Sequence, residues 1–174
     1  MEVSTYRNGD PIPKVTDPAV WATLTTGAYC YYNNDSATYA AIYGKQYNWH
    51  AVNDPRGLAP AGWHIPSDAE WATLITCLGE KFVAGGRMKY PGTSFWAEPN
   101  TAATNVSGFA GLPGSLRMSD GGFLNNGQTG YWWSSTERNS GEAWDRFLNH
   151  SSANAGRING YSKKGGFPVR CIRD

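Results

Sequence analysis

Helical and alternating patterns divide the chain near its middle. In the first half, apolar residues recur at helical spacing over short stretches. Asp17-Pro18-Ala19-Val20-Trp21-Ala22-Thr23-Leu24 supplies a capping Asp, a proline at the first helical position and an apolar stripe, predicting a short helix. Gly27 to Tyr32 reads as a strand closed by the turn Asn33-Asn34-Asp35-Ser36, and Ser36 to Tyr43 as a helix stopped at Gly44. Tyr47 to Val52 alternates and predicts another strand before the loop Asn53 to Gly57. The clearest start signal is Ser67 with Glu70 three residues on, a capping box in which each side chain satisfies an orphan backbone donor of the other. Ile65 is placed to staple against Trp71. Trp71, Leu74, Ile75 and Leu78 form the stripe this helix buries, and Gly79 ends it.

Beyond Gly85-Gly86 the pattern dissolves into closely spaced turns at Pro91-Gly92-Thr93, Glu98-Pro99-Asn100-Thr101 and Asn105-Val106-Ser107-Gly108. Short strands are expected at 109–112, 116–118, 130–134, 143–148 and 167–172. At the other end, Asn8-Gly9-Asp10-Pro11-Ile12-Pro13 is turn chemistry that links an N-terminal hairpin to the body. Helices early and strands with loops late imply an α+β architecture. No internal repeat and no linker divides the chain, so residues 1–174 read as one domain, with 1–5 as a linker-like edge.

Composition adds the nature of the core. Hydrophobic residues make up 40% of the 174, yet 14% are aromatic, so Trp and Tyr carry the core and disorder is excluded. A net charge of +1 provides no global field for nucleic acid or an anionic membrane. No apolar run approaches the roughly 20 residues needed to cross a bilayer, and the first residues lack the basic and apolar regions of a signal peptide. Cys30, Cys77 and Cys171 lack metal-ligand spacing and read as buried, inert thiols, with a Cys30 to Cys171 disulfide as the minor alternative.

Several blocks together resemble one family: Tyr29-Cys30-Tyr31-Tyr32-Asn33-Asn34-Asp35, Tyr47-Asn48-Trp49, Gly62 to Trp71, Gly108-Phe109, Leu112-Pro113-Gly114, Trp132-Trp133-Ser134-Ser135-Thr136, and Gly166-Phe167 to Arg170-Cys171. They are similar to the Fibrobacter succinogenes major paralogous domain from about Tyr6 to Asp174. The resemblance implies a C-type-lectin-like fold, related to that of the formylglycine-generating enzyme, with two main helices, short antiparallel strands and long ordered loops. It also implies extracellular or surface display. The group includes variable proteins of diversity-generating retroelements, whose changes fall at template adenines and so at Asn codons. Asp145, Phe147, His150, Ser151, Ile158 and Tyr161 belong to the set such changes produce, and Asn139, Asn149, Asn154 and Asn159 to the unchanged set. An ordinary polar loop has a similar composition. Pro168 departs from the family's usual Ser and removes a ladder donor, implying an edge or bulge. Ser115-Leu116-Arg117-Met118 and Leu124 are more apolar than expected, through an extended binding patch or a packing change.

Strand alternation sharpens the tail. With Trp144 and Leu148 inward and Arg146 at the core's edge, Asp145, Phe147 and Asn149 point outward. The expected ligand-binding set is Phe147, Ile158 and Tyr161 as apolar anchors, with Arg138, Asn139, Glu142, Asp145, His150, Asn159 and Ser162 for polar selectivity. Trp132 and Trp133 face opposite ways and read as scaffold, as do Trp144 and Cys171. Glu142, Asp145 and Asn149 are too dispersed for a calcium loop. Of His50, His64 and His150, His64 sits at the capping box and reads as a structural hydrogen-bonding group. No nucleophile elbow, His-Glu-x-x-His or phosphate loop is present. The expectation is a monomeric, non-enzymatic binding domain without metal or cofactor, whose ligand is a protein or other cell-surface macromolecule. A non-diversified adhesive module and a formylglycine-type oxidase are the alternatives.

Overall fold

The computed structural model describes residues 1–124 and 126–174. Gly9, at φ +93°, reverses the first segment so that Thr5 bridges Pro11, forming the expected N-terminal hairpin. Residues 2–5 are no free edge. The Lys45 ammonium donates to the Glu2 carbonyl and the Ser4 hydroxyl, and the Tyr47 hydroxyl donates to the Val3 carbonyl.

The early helices follow their signals. Helix α1 (Pro18–Thr23) has Asp17 accepting from the Val20 N–H, and α2 (Ser36–Tyr43) has Asp35 accepting from Thr38 before Gly44 stops it at φ +70°. Strand β1 (Tyr29–Tyr31) pairs antiparallel with β2 (Lys45–Tyr47). The expected strand over 47–52 ends at Tyr47. Asn48 caps a helical turn, α3 (Trp49–Val52), accepting the Ala51 N–H, and its amide also binds Ala28 N–H and Thr26 C=O. A side chain that satisfies three backbone groups outweighs the local alternation.

Strand β3 (Trp63–His64) leads into α4 (Asp68–Cys77), where the capping box is formed in both directions. Trp71 and Ile75 are buried, Leu74 and Leu78 partly so, and Gly79 takes φ +88° just past the end. Ile65 packs in a different core cluster from Trp71. The turn-rich stretch begins beyond Gly85-Gly86 as expected, but the residues leading into it form a further helix without a sequence signal, α5 (Lys81–Met88). Both glycines lie inside it because other backbone presses on them. A Cβ at Gly85 would collide with the Asn154 carbonyl, and one at Gly86 with the Ala102 carbonyl.

Strand β4 (Thr129–Glu137) and β5 (Glu142–Asn149) form the long antiparallel hairpin, Trp133 opposite Asp145, with a bulge between Trp133 and Glu137. Two short strands, β6 (Ala155–Gly156) and β7 (Tyr161–Ser162), both pair with the free edge of β5, at its C-terminal and N-terminal ends. Strand β8 (Ile172–Arg173) pairs with β3. The expected strand over 167–172 is interrupted: Phe167 bridges Tyr47, Pro168 has no N–H to continue the ladder, and pairing resumes only at β8. Residues 109–112 and 116–118 contribute isolated bridges only, and Ser115, Leu116 and Arg117 are buried, so that stretch is core packing. Leu124 is exposed.

The hairpin is covered on both faces. Trp133 stacks on Phe167 at 4.1 Å and 13° and donates its indole N–H to the Tyr47 carbonyl, within a core that includes Trp49, Ile65 and Val169. Trp132 faces the other way, into a cluster with Trp71, Ile75, Met88, Trp96 and Leu148 under α4 and α5. A third cluster joins Trp21, Ala28 and Cys30. Each such side chain buried contributes roughly 2–3 kcal/mol.

Two buried cations hold the loops together. Arg117 lies over Trp21 and donates to the Val15, Thr16 and Gly121 carbonyls. Lys89 donates to the Asn149 and Ser152 carbonyls, and burial pulls its pKa down to about 8. All three cysteines are free, which sets aside the disulfide; Cys30 is buried as expected, whereas Cys77 is exposed.

Gly85→Ala discriminates helix propensity from packing. Propensity alone favours alanine by about 1 kcal/mol, but the Asn154 carbonyl leaves no room for it. The expected outcome is a net loss of about 2 kcal/mol in urea unfolding. A stabilised variant would show that the loop yields easily.

Candidate recognition surface

At the hairpin tip, Asn139 closes the turn by accepting the Gly141 and Glu142 N–H groups. Its amide and the Arg138 guanidinium both donate to the Glu142 carboxylate, which holds that carboxyl below its ordinary pKa, Asn139 contributing most. The other wall is the 157–160 connection between β6 and β7. Gly160 packs so close to Arg138 and Glu142 that a side chain there would strike both. Ser162 lies opposite Glu142 in the β5–β7 register. Arg138, Asn139, Glu142, Asn159 and Ser162 therefore gather at one end of the hairpin.

Trp144 belongs with them. Only half-buried, it has the Arg157 guanidinium 4.1 Å and the Arg138 guanidinium 5.4 Å from its ring centroid. This corrects its assignment to the scaffold. On its face of β5, Arg146 is bound by Asp68 at the start of α4, and Leu148 packs under the helices. The helix starts too late along the hairpin to reach Trp144. Asp68 also pairs with Arg157, so one carboxylate links helix, strand and loop. Arg157 was not among the expected site residues; its proximity to Trp144 depends on the β6–β7 excursion, which leaves no periodic trace in the sequence.

Other expected residues lie elsewhere. Asp145 does not point to solvent: it is 0% exposed, directly opposite Trp133. Its Oδ1 accepts the Ile158 N–H at 3.2 Å, while Oδ2 has no partner among the described residues. It pins the 157–160 connection from beneath, and Ile158 is half-buried above it. Tyr161 is part of the framework too, its ring 4.9 Å from Phe167 and edge-on to Trp133. Phe147 is half-buried, beside Tyr131 and against Gly156 of β6, where any side chain would meet its ring. His150 lies roughly 25 Å along the strand from Glu142, with Nδ1 bonded to the Glu98 carbonyl. Phe147 and His150 are thus separate from the tip cluster. The alternation argument fails here because β5 is covered on both faces.

His64 makes the structural bonds its position suggested. Its Nδ1 is 2.7 Å from Asp174 and its Nε2 2.9 Å from Glu70, and these two partners, Asp174 foremost, raise its pKa. Among the described residues, no three His, Cys, Asp or Glu side chains converge as metal ligands, and no helix is long and apolar enough to cross a membrane.

The architecture and its exposed end define a class: an α+β domain that carries a loop-built polar surface on a hairpin buried from both sides. The chain belongs to the Fibrobacter succinogenes major domain family, whose family model matches residues 1–173. No curated protein and no solved structure is matched.

Burial raises the Asp145 carboxyl from its ordinary 3.8 to about 7. The folded state then keeps a proton that the unfolded chain releases near pH 4. This contribution to stability is full below pH 4 and lost as pH rises through 7. Relative to Asp145→Asn, the wild type should lose up to about 4 kcal/mol across that window. Paired denaturant titrations at pH 4 and 8 measure it; a difference that stays constant with pH would mean that the carboxyl titrates normally.

Proposed function

We propose that the domain is a non-enzymatic ligand-binding module of C-type-lectin-like organisation. The hairpin tip and the 157–160 loop form its recognition surface, diversified as in variable proteins of diversity-generating retroelements. Its ligand is a protein or other cell-surface macromolecule, met by a surface-displayed monomer. The observation that carries this reading is Trp144, partly exposed between Arg138 and Arg157 at a tip whose backbone is fixed by paired strands. Tryptophan and arginine supply much of the binding energy at protein interfaces. Asn139, Arg157 and Asn159 are exposed beside it.

Cys30 and Cys171 argue for binding over an oxidase. Burial pushes Cys30 up to about 12 and raises Cys171, whereas a reactive thiol needs a depressed pKa.

Two measurements test the proposal. A ligand captured by the wild type from a cell-surface protein array should bind Trp144→Ala/Arg157→Ala at least tenfold more weakly, with an unchanged circular dichroism spectrum. Phe82→Ala, at an exposed position on α5, should bind normally. Sister copies of the gene should differ at adenine-derived codons for exposed residues between 138 and 162, sparing the buried Asp145 and the core-packed Tyr161. Differences spread evenly over the whole surface would instead identify a non-diversified adhesive module.

A further inference from the structure

A groove of about 300 Å³ lies between α4 and the C-terminal segment, and no residue of 138–162 lines it. Its walls are apolar: Trp71 and Leu74 from α4, Phe109 from the stretch between α5 and β4, and Ile172 from β8. They are also stiff. Phe109 meets Trp71 edge-on at 5.7 Å and Trp132 at 5.2 Å, and pairing of His64 with Ile172 fixes the far wall. Such a volume is at the lower end of the range for small-molecule sites, roughly 300–1,000 Å³.

Two charged side chains line the groove, and only one is neutralised. Both Glu70 oxygens are occupied, Oε2 by the Ser67 N–H and hydroxyl and Oε1 by His64. Arg170 lies with its guanidinium carbon 5.0 Å from the Phe109 ring centroid, and its Nη2 donates to the Phe109 and Ala110 carbonyls at 3.2 and 3.4 Å. Among the described residues it has no carboxylate within ion-pair distance, and its Nε and Nη1 have no protein acceptor. Nε and Nη1 lie on different edges of the guanidinium, so each can donate one N–H to a carboxylate beside a charge that no acidic side chain neutralises.

We propose that this groove binds a small apolar monocarboxylate, with the carboxylate on Arg170 and the hydrocarbon or aromatic body between Trp71, Leu74, Phe109 and Ile172. The site is independent of the recognition surface and does not rest on the reading of that surface. The apolar walls supply the burial and the single cation fixes orientation, the division of roles common to small-ligand pockets.

The test is titration of the whole chain with 4-phenylbutyrate, followed by calorimetry and by the indole and amide NMR signals. Saturable binding is expected, with shifts at Trp71 and at 108–109 and 170–172. The uncharged analogue 4-phenyl-1-butanol should bind about tenfold more weakly, and Arg170→Gln, an exposed position, should weaken the acid by a similar factor. No saturable binding, equal affinity for acid and alcohol, or shifts centred on Trp144 would each overturn the proposal. A peptide ending in a free leucine carboxylate that binds more tightly than the acid would also overturn it, assigning the groove to a chain terminus.

Discussion

Trp132 and Trp133 are neighbours on one strand, and strand geometry sends neighbours to opposite faces. Both are buried, each in its own core: Trp133 on Phe167 and Tyr47, Trp132 beneath α4 and α5. The β4–β5 hairpin is thus the shared wall of two aromatic clusters. The helices cannot pack without one face of it, nor the C-terminal segment without the other. The N-terminal strands reach it as well, through the indole bond from Trp133 to the Tyr47 carbonyl. Only the tip escapes this double cover, and there Trp144, Arg138 and Arg157 meet.

Much of the fold was legible wherever a local signal had a local cause. Asp17 and the Ser67–Glu70 pair cap the helices they announced, and Gly44 and Gly79 stop theirs. The misreadings share a different origin. Gly85 and Gly86 give no sign of a helix until Asn154 and Ala102 are seen against them, and Asn48 looks like part of a strand until its amide is seen binding Ala28 and Thr26. In each case the deciding partner is distant in sequence.

The candidate surface was legible in location and only partly in membership. The segment 138–162 does contain the exposed tip. The choice of outward residues presumed one covered face, and the second cover removed Asp145, enclosed the Tyr161 ring in the framework and set Phe147 against Gly156. Alternation with Leu148 assigns Trp144 to the core side; it is only half-buried because α4 begins at the level of Arg146.

Lys89 grips the carbonyls of Asn149 and Ser152, Gly85 rests against that of Asn154, and Asp145 receives the N–H of Ile158. All four contacts on the tail are to main-chain atoms. A carbonyl is the same group on every amino acid, and only proline lacks the N–H needed at 158. At these four points the scaffold holds the loops by their peptide groups, whatever side chains they carry; at Arg157, paired with Asp68, and at Asn149, bonded to Thr129, it also reads a side chain. Asn154 and Ile158 are therefore held by these contacts without use of their side chains, whereas Asn149 and Ser152 also shape the turn, accepting the Ser151 and Asn154 N–H groups; shape and sequence are uncoupled at the first pair and coupled at the second.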